Sequence, residues 1–455
     1  MSARPPRKRK HQPRRPARAD HPARPKSDQE PAATQVVRIE KPIYGGAFLA
    51  RVEGKAVFVP LTLPGEQASV RIVEEKQSFA TAEADEILTA APGRSQPLCP
   101  YFGPCGGCQY QHVHYAAQLR FKQDILHETL ERAGVQVPSE IEVLSGDPWA
   151  YRNRIRLAFD RQGNPGYRAR RSHHIIPISQ CPISAPVLVE AAAAFADLAR
   201  KHVPGLRPAE LALFCNHDES ALLVSIFIEQ RANIALEPLA RALKQSIPAL
   251  TGIELVAEGR PGQRPRTIAQ WGEPSLVYRA TGVEYRVDHG AFFQVNRWLV
   301  DPLIRRVTDH RSGKYAWDLF AGVGLFARHL AANFERVVAV ESAPSASAAL
   351  KHNLAVTSAI ASPSSTLEFL RRNAKSDRPD LIVVDPPRTG LGPDTTALLS
   401  QIAAPAVTYV SCDPATLARD LRALVARGYT IQRLTLADLF PQTFHLETIV
   451  DLRLA

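Results

Sequence analysis

The chain has 455 residues, 45% of them hydrophobic and 22% charged, the balance of a globular protein with room for about two to four domains. No apolar run approaches the roughly 18 residues needed to cross a bilayer, and the basic N-terminus lacks the apolar stretch of a secretory signal, so a cytoplasmic protein without a membrane partner is expected. The net charge of +11 is concentrated in residues 1–27, where ten Lys or Arg face the single acid Asp20; this predicts a disordered basic tail over 1–33, able to add salt-sensitive phosphate contacts to a nucleic acid.

In residues 34–92, Gly45-Gly46, Gly54 and Pro64-Gly65 punctuate β-branched segments, which predicts a small five-strand barrel. The stretch LCPYFGPCGGCQYQH follows, with Cys99, Cys105 and Cys108 in a C-x5-C-x2-C spacing. With no signal peptide, three clustered cysteines point to a metal site and not to a disulfide framework. Residues 115–134 carry Leu119, Ile125, Leu126 and Leu130 broadly on one face, with Gly134 past the end, the pattern of an amphipathic helix.

Strands and helices mix over 145–290. YRNRIRLAFD alternates basic and apolar residues, as a strand with one wet face does. Arg152, Arg154 and Arg156 are therefore candidate RNA contacts, with Tyr151 and Tyr167 as stacking planes. Cys181, in ISQCPIS, is a fourth thiol that can join the earlier three around zinc or a [4Fe–4S] cluster; spacing alone leaves that choice open. Cys215 lies outside every motif and reads as a core thiol.

From residue 315 each apolar run is followed by a helical pattern: YAWDLFAGVGLFARHLAA, RVVAVESA, DLIVVDPPRTGL and AVTYVSCDPATLARDLRALVARG. This predicts an α/β, doubly wound sheet, closed by an antiparallel pair in the last 27 residues, YTIQRLTLADLFPQTFHLETIVDLRLA. Gly322 and Gly324 stand in a strand-to-helix turn that lets backbone approach a ligand. Glu341 ends the next strand, where an acid accepts hydrogen bonds from ribose hydroxyls, and Asp385 ends another. The third glycine of GxGxxG is missing, Phe326 and Ala327 standing there, so S-adenosylmethionine is favoured over a nicotinamide cofactor. Arg388 occupies the place of the aromatic residue that amino-group methyltransferases carry after Asp-Pro-Pro.

Cys412 closes an apolar run. Asp413 can cap the following helix, Pro414 suits its first turn and Gly428 its end, so a helix start is expected to favour the Cys412 thiolate. Such a thiolate can add to C6 of uracil and make C5 able to accept a methyl group; the C5 proton then needs a base. Glu447 is the candidate, although a Glu in an alternating strand commonly faces solvent.

Together these stretches resemble the RNA uracil-C5 methyltransferases, in particular those modifying a uridine of 23S ribosomal RNA, from about residue 34 to the C-terminus. The resemblance implies a TRAM RNA-binding barrel over 34–92. It implies a mixed α+β central domain over 93–290, whose helix 115–134 can pack on the catalytic domain, and a Rossmann-like methyltransferase domain over 291–455. VDHGAFFQVNRWLVDPL is similar to the family's FFQVN segment, from which Gln294 would contact the cofactor, while Phe320, Glu341 and Asp385 fall on its other cofactor contacts. SCDPATLARDL and HLETIVDL match the family's nucleophile and base motifs, which gives those roles to Cys412 and Glu447. The resembled subfamily holds a [4Fe–4S] cluster on the four cysteines, which prefers iron–sulfur to zinc. Phe292 and Phe293 are candidates, one of them at most, to pack against a flipped-out uridine, and Arg388 is a candidate RNA contact. Leu325, where the family often has Asn, and Ser364 or Ser365, in place of an acidic or amide residue, depart from the pattern at the adenine end. The expected partner is 23S rRNA, naked or in an early assembly intermediate, and the expected state a monomer. Competing readings are the same chemistry on transfer RNA, whose enzymes generally lack barrel and cysteine cluster, and a non-catalytic RNA-binding protein. A radical methylthiotransferase is disfavoured because it needs a C-x3-C-x2-C triad.

Overall fold

The computed structural model describes residues 34–229, 234–259, 265–375 and 378–455; the basic tail expected over 1–33 lies outside the described residues. Strands Gln35–Pro42, Ala47–Val52, Lys55–Pro60, Gln67–Glu75 and Phe79–Thr89 form a closed barrel in which the fifth strand lies between the third and fourth. Alternation fills it: Val37, Ile39, Phe48, Val57, Val59 and Val70 point inward, as the period of two requires. Glu66 is buried at the base of the barrel, where Arg94 grips it with two hydrogen bonds of 2.6 and 2.7 Å.

Two pieces upstream of residue 290 belong to the terminal sheet. Helix Tyr115–Arg132 places Ile125, Leu126 and Leu130 in the same core as Trp317, Ile382 and Leu421. Its Lys122 ammonium lies 2.6 Å from Asp438 Oδ1, with both side chains fully buried. Strand Glu142–Leu144 pairs parallel with Tyr429–Ala437 and forms one edge of that sheet. Between these pieces and the terminal sheet the chain builds a seven-stranded sheet backed by helices Pro186–His202 and Leu236–Ser246, followed by the hairpin Ser275–Ala280 and Val283–Asp288.

The terminal sheet has eight strands in the order Ile360–Ser362, Phe334–Val340, Gly313–Leu319, Leu381–Val384, Ala406–Ser411, Glu447–Leu454, Tyr429–Ala437, Glu142–Leu144. The first five are mutually parallel, and Glu447–Leu454 runs antiparallel to both its neighbours. The chain winds outward from Gly313–Leu319 to one side and then returns to Leu381–Val384 on the other. The crevice between those two strands is thus a switch point, where ligands of open α/β sheets bind. Among the described residues no helix is long and apolar enough to cross a membrane.

Candidate active site

Strand Gly313–Leu319 delivers the glycine turn to that crevice. Phe320 takes a left-handed φ of 65°, and Gly322 and Gly324 follow at 55° and 92°; for a bulky residue such as Phe320 this is a strained conformation. A Cβ at Gly324 would come 2.8 Å from Leu350, so that glycine lets helix Pro344–Leu354 close on the turn, whereas at Gly322 a Cβ would meet nothing within 4 Å. The open side of Gly322 faces a narrow slot lined also by Phe292, Gln294, Phe320, Phe326 and Asp385. Glu341 sits where expected: its carboxylate accepts from Gly322 N at 2.9 Å and from Ala343 N at 2.6 Å. Asp318, which the motif reading passed over, is fully buried beneath the turn. One of its oxygens accepts from Ala327 N at 2.8 Å, the other has no partner, and burial pushes its carboxyl up to about 8. Leu325 is packed into the core. Ser365 is committed to capping helix Thr366–Asn373, in a reciprocal box with Glu368, and the Ser364 hydroxyl lies 3.2 Å from that of Ser362.

Register brings the candidate reacting groups together. Ser411 pairs with Thr448 across antiparallel strands, so Cys412, just past the end of one strand, and Glu447, at the start of the other, share one end of the sheet. Asp385 ends the next strand over. Asp413 caps helix Pro414–Val425 as anticipated, its Oδ1 accepting from Ala415 N at 3.1 Å and Thr416 N at 2.9 Å. The expected thiolate does not follow. Burial, with the Glu447 and Asp385 carboxylates adding, pushes the Cys412 thiol up to about 12, and Arg388 alone among nearby side chains acts against them. Desolvation and two nearby carboxyl groups outweigh one helix start. Glu447 is only 5% exposed, because its strand lies between two others. Burial first, then Asp385, raises its pKa well above the ordinary carboxylate value, with Arg388 opposing; burial pushes Asp385 up to about 7.

A family model described as tRNA (uracil-5-)-methyltransferase matches residues 366–454, and one described as the TRAM domain matches 29–84. The 23S rRNA (uracil(1939)-C(5))-methyltransferase RlmD of Shewanella amazonensis is 31% identical over 93% of this chain and 97% of that protein. RlmD of Chromohalobacter salexigens is 33% identical over 93% of this chain and 90% of its own length. The chain belongs to the RNA uracil-C5 methyltransferase family. In fold it is similar to the Pyrococcus abyssi tRNA (uracil-54, C5)-methyltransferase solved with S-adenosyl-L-homocysteine, with a TM-score of 0.74 and 24% identity over 92% of this chain and all of that one. A protein named for tRNA therefore shares nearly the whole architecture, and the barrel does not by itself separate ribosomal from transfer RNA enzymes.

In this methyltransferase the four clustered cysteines, Cys99, Cys105, Cys108 and Cys181, line one cavity of about 200 Å³ together with Tyr101, Arg152 and Tyr167. The first loop is wrapped by its own backbone, Phe102 N donating to Cys99 O and Cys105 N to Tyr101 O. Burial and the neighbouring thiols push Cys108 up to about 12. Among the described residues no three His, Cys, Asp or Glu side chains are grouped so as to hold a metal ion. Cys215 is a buried core thiol.

The arginine strand corrects the expected RNA contacts. In the strand Arg154–Phe159 the expected alternation holds, with Ile155 and Leu157 buried and Arg156 exposed, but Arg152 and Arg154 face protein. Arg152 turns into the cysteine cavity, its Nε buried and without a partner. Arg154 donates to Ala291 O at 2.6 Å and lies 4.2 Å over the Phe214 ring. Arg156 is exposed but ion-paired with Glu210. Tyr151 is fully buried and donates to Pro441 O. Phe292 is 61% exposed and Phe293 2%, so only Phe292 is available to a base, while Arg388 is exposed, 3.5 Å from His445 Nδ1. The segment around Arg152 instead ties the cysteine cavity to the slot. Arg152 N donates to Ile183 O, Asn153 N to Val295 O, and the Asn153 amide to Gln294 O at 2.9 Å.

Proposed function

We propose that this enzyme methylates C5 of a uridine in 23S ribosomal RNA with S-adenosylmethionine as donor, Cys412 as nucleophile and Glu447 as base. The observation that carries the reading is the meeting of Cys412, Glu447 and Asp385 at one end of the sheet beside the slot of Gln294, Phe320 and Gly322. The slot suits the cofactor: Gly322 is open toward it, Glu341 is already held at the turn for ribose hydroxyls, and Asp385, which lines it, brings a carboxyl group for a cationic ligand. When bound there, S-adenosylmethionine supplies an electrophilic methyl group. Cys412 gives up its proton to solvent and adds as thiolate through Sγ to C6 of a flipped-out uracil, and the C5=C6 electron pair moves toward O4, which leaves C5 nucleophilic. Once C5 is alkylated, Glu447 takes its proton; that electron pair re-forms C5=C6, and the C6–S bond breaks to free Cys412.

Ribosomal RNA is favoured over transfer RNA by the two RlmD relatives, which align with this chain over nine-tenths of its length. Mapping 5-methyluridine in RNA from cells with and without the gene tests this: a mark lost from 23S rRNA supports the reading, and a mark lost from tRNA replaces it. For the cysteines we propose a [4Fe–4S] cluster. Four thiols line one cavity and can serve either zinc or such a cluster; it is the family resemblance that favours the cluster. Protein purified without oxygen is expected to be brown and to carry iron; a colourless, zinc-loaded protein contradicts the assignment.

A further inference from the structure

The turn between the first two barrel strands does not stay within the barrel. Tyr44 stands at its tip, followed by Gly45 and Gly46 at φ of 106° and 86°, and its hydroxyl donates to Asp413 Oδ2 at 3.2 Å, across 369 residues of sequence. Asp413 directly follows Cys412. Its other oxygen caps the helix that begins there, so the two carboxylate oxygens join the barrel to the nucleophile's helix. The Tyr44 ring also stands edge-on to Phe444, centroids 5.5 Å apart, and Phe444 packs on His445 at 4.3 Å, two residues before Glu447. Gly46 presses on the same loop: a Cβ there would fall 2.7 Å from Gln109 and 3.2 Å from Phe444. Burial and the Asp413 carboxylate raise the Tyr44 pKa, which keeps the hydroxyl a donor. One short turn therefore touches both the residue after the nucleophile and the loop leading to the base.

We propose that Tyr44 is a positioning residue for C5 methylation, through which the barrel sets the placement of Cys412 against Glu447. The inference rests on the roles given above to those two residues. It makes the barrel part of the catalytic centre as well as an RNA-binding module.

Tyr44→Phe keeps the ring on Phe444 and removes one hydrogen bond to a charged acceptor. It is expected to slow single-turnover formation of the covalent RNA adduct by about tenfold while KM for RNA stays within about twofold. Asp413→Ser retains a helix cap but no second oxygen. Combined with Tyr44→Phe it is expected to cost no more than the slower single variant, because both remove the same contact. An unchanged adduct rate in Tyr44→Phe, with or without a lower Tm, overturns the proposal, and so does a loss confined to KM, which would make Tyr44 an RNA contact. A fully active Cys412→Ala would instead overturn the nucleophile assignment, and this inference with it.

Discussion

Burial governs the side chains proposed to react at the strand ends. The Cys412 thiol is pushed up to about 12 and Asp385 up to about 7, and Glu447 is raised as well, so at neutral pH Cys412 in the free site is a thiol. Both the thiolate and the basic carboxylate form as pH rises. Single-turnover adduct formation at saturating RNA is therefore expected to climb about tenfold per pH unit between about pH 7 and 9; a flat profile contradicts this electrostatic picture. Arg388 is the side chain that opposes the rise at both Cys412 and Glu447, so Arg388→Gln is expected to slow adduct formation several-fold and displace the profile to higher pH. Asp385 carries a linkage consequence. Its folded-state pKa lies above the unfolded value near 4, so stability present below that pH is lost as pH rises through about 7. Asp385→Asn has no proton to lose and is expected to raise Tm over wild type at pH 8, with a smaller difference at pH 5, while abolishing methylation; equal Tm values at pH 8 contradict it. The cap at Asp413 was legible because capping is local. The thiol's environment was not, because Asp385 and Glu447 reach it only through strand order.

At the scale of elements, helix Tyr115–Arg132 is locked to the catalytic sheet by the buried Lys122–Asp438 pair, with Lys122 also donating to Phe440 O at 3.0 Å. Lys122→Met leaves the Asp438 charge buried and unpaired and is expected to destabilise the fold by about 3–5 kcal/mol in denaturant unfolding. Adding Asp438→Leu is expected to restore part of the loss; a double variant as unstable as the single would show that packing, not charge, is at fault. The amphipathic pattern of this helix was readable, but nothing in it named its partner helix Pro414–Val425 or marked Lys122 as buried. In the strand Arg154–Phe159 period two sorted the faces correctly, but it did not show that Arg152 turns into the cysteine cavity or that Arg154 lies on Phe214. Glu142–Leu144, three residues long, is too short to carry a period at all.

Across the whole molecule, the glycine-punctuated barrel and the alternating strand–helix order were legible because each is written in local turn chemistry and period. What joins them was not. Tyr44 meets Asp413 across 369 residues, and the segment Tyr151–Asn153 spans the cysteine cavity and the Gln294 slot through backbone hydrogen bonds that no side-chain pattern records. The outcome is one centre assembled from three distant stretches of chain, with Cys412 and Glu447 brought side by side by the Ser411–Thr448 register. The most direct measurement is a denaturing gel of unmodified 23S rRNA incubated with S-adenosylmethionine and wild-type, Cys412→Ala or Glu447→Gln protein. A slow covalent protein–RNA band accumulating with Glu447→Gln and absent with Cys412→Ala, which also makes no 5-methyluridine, is the expected result. Methylation by Cys412→Ala at the wild-type rate would contradict the account.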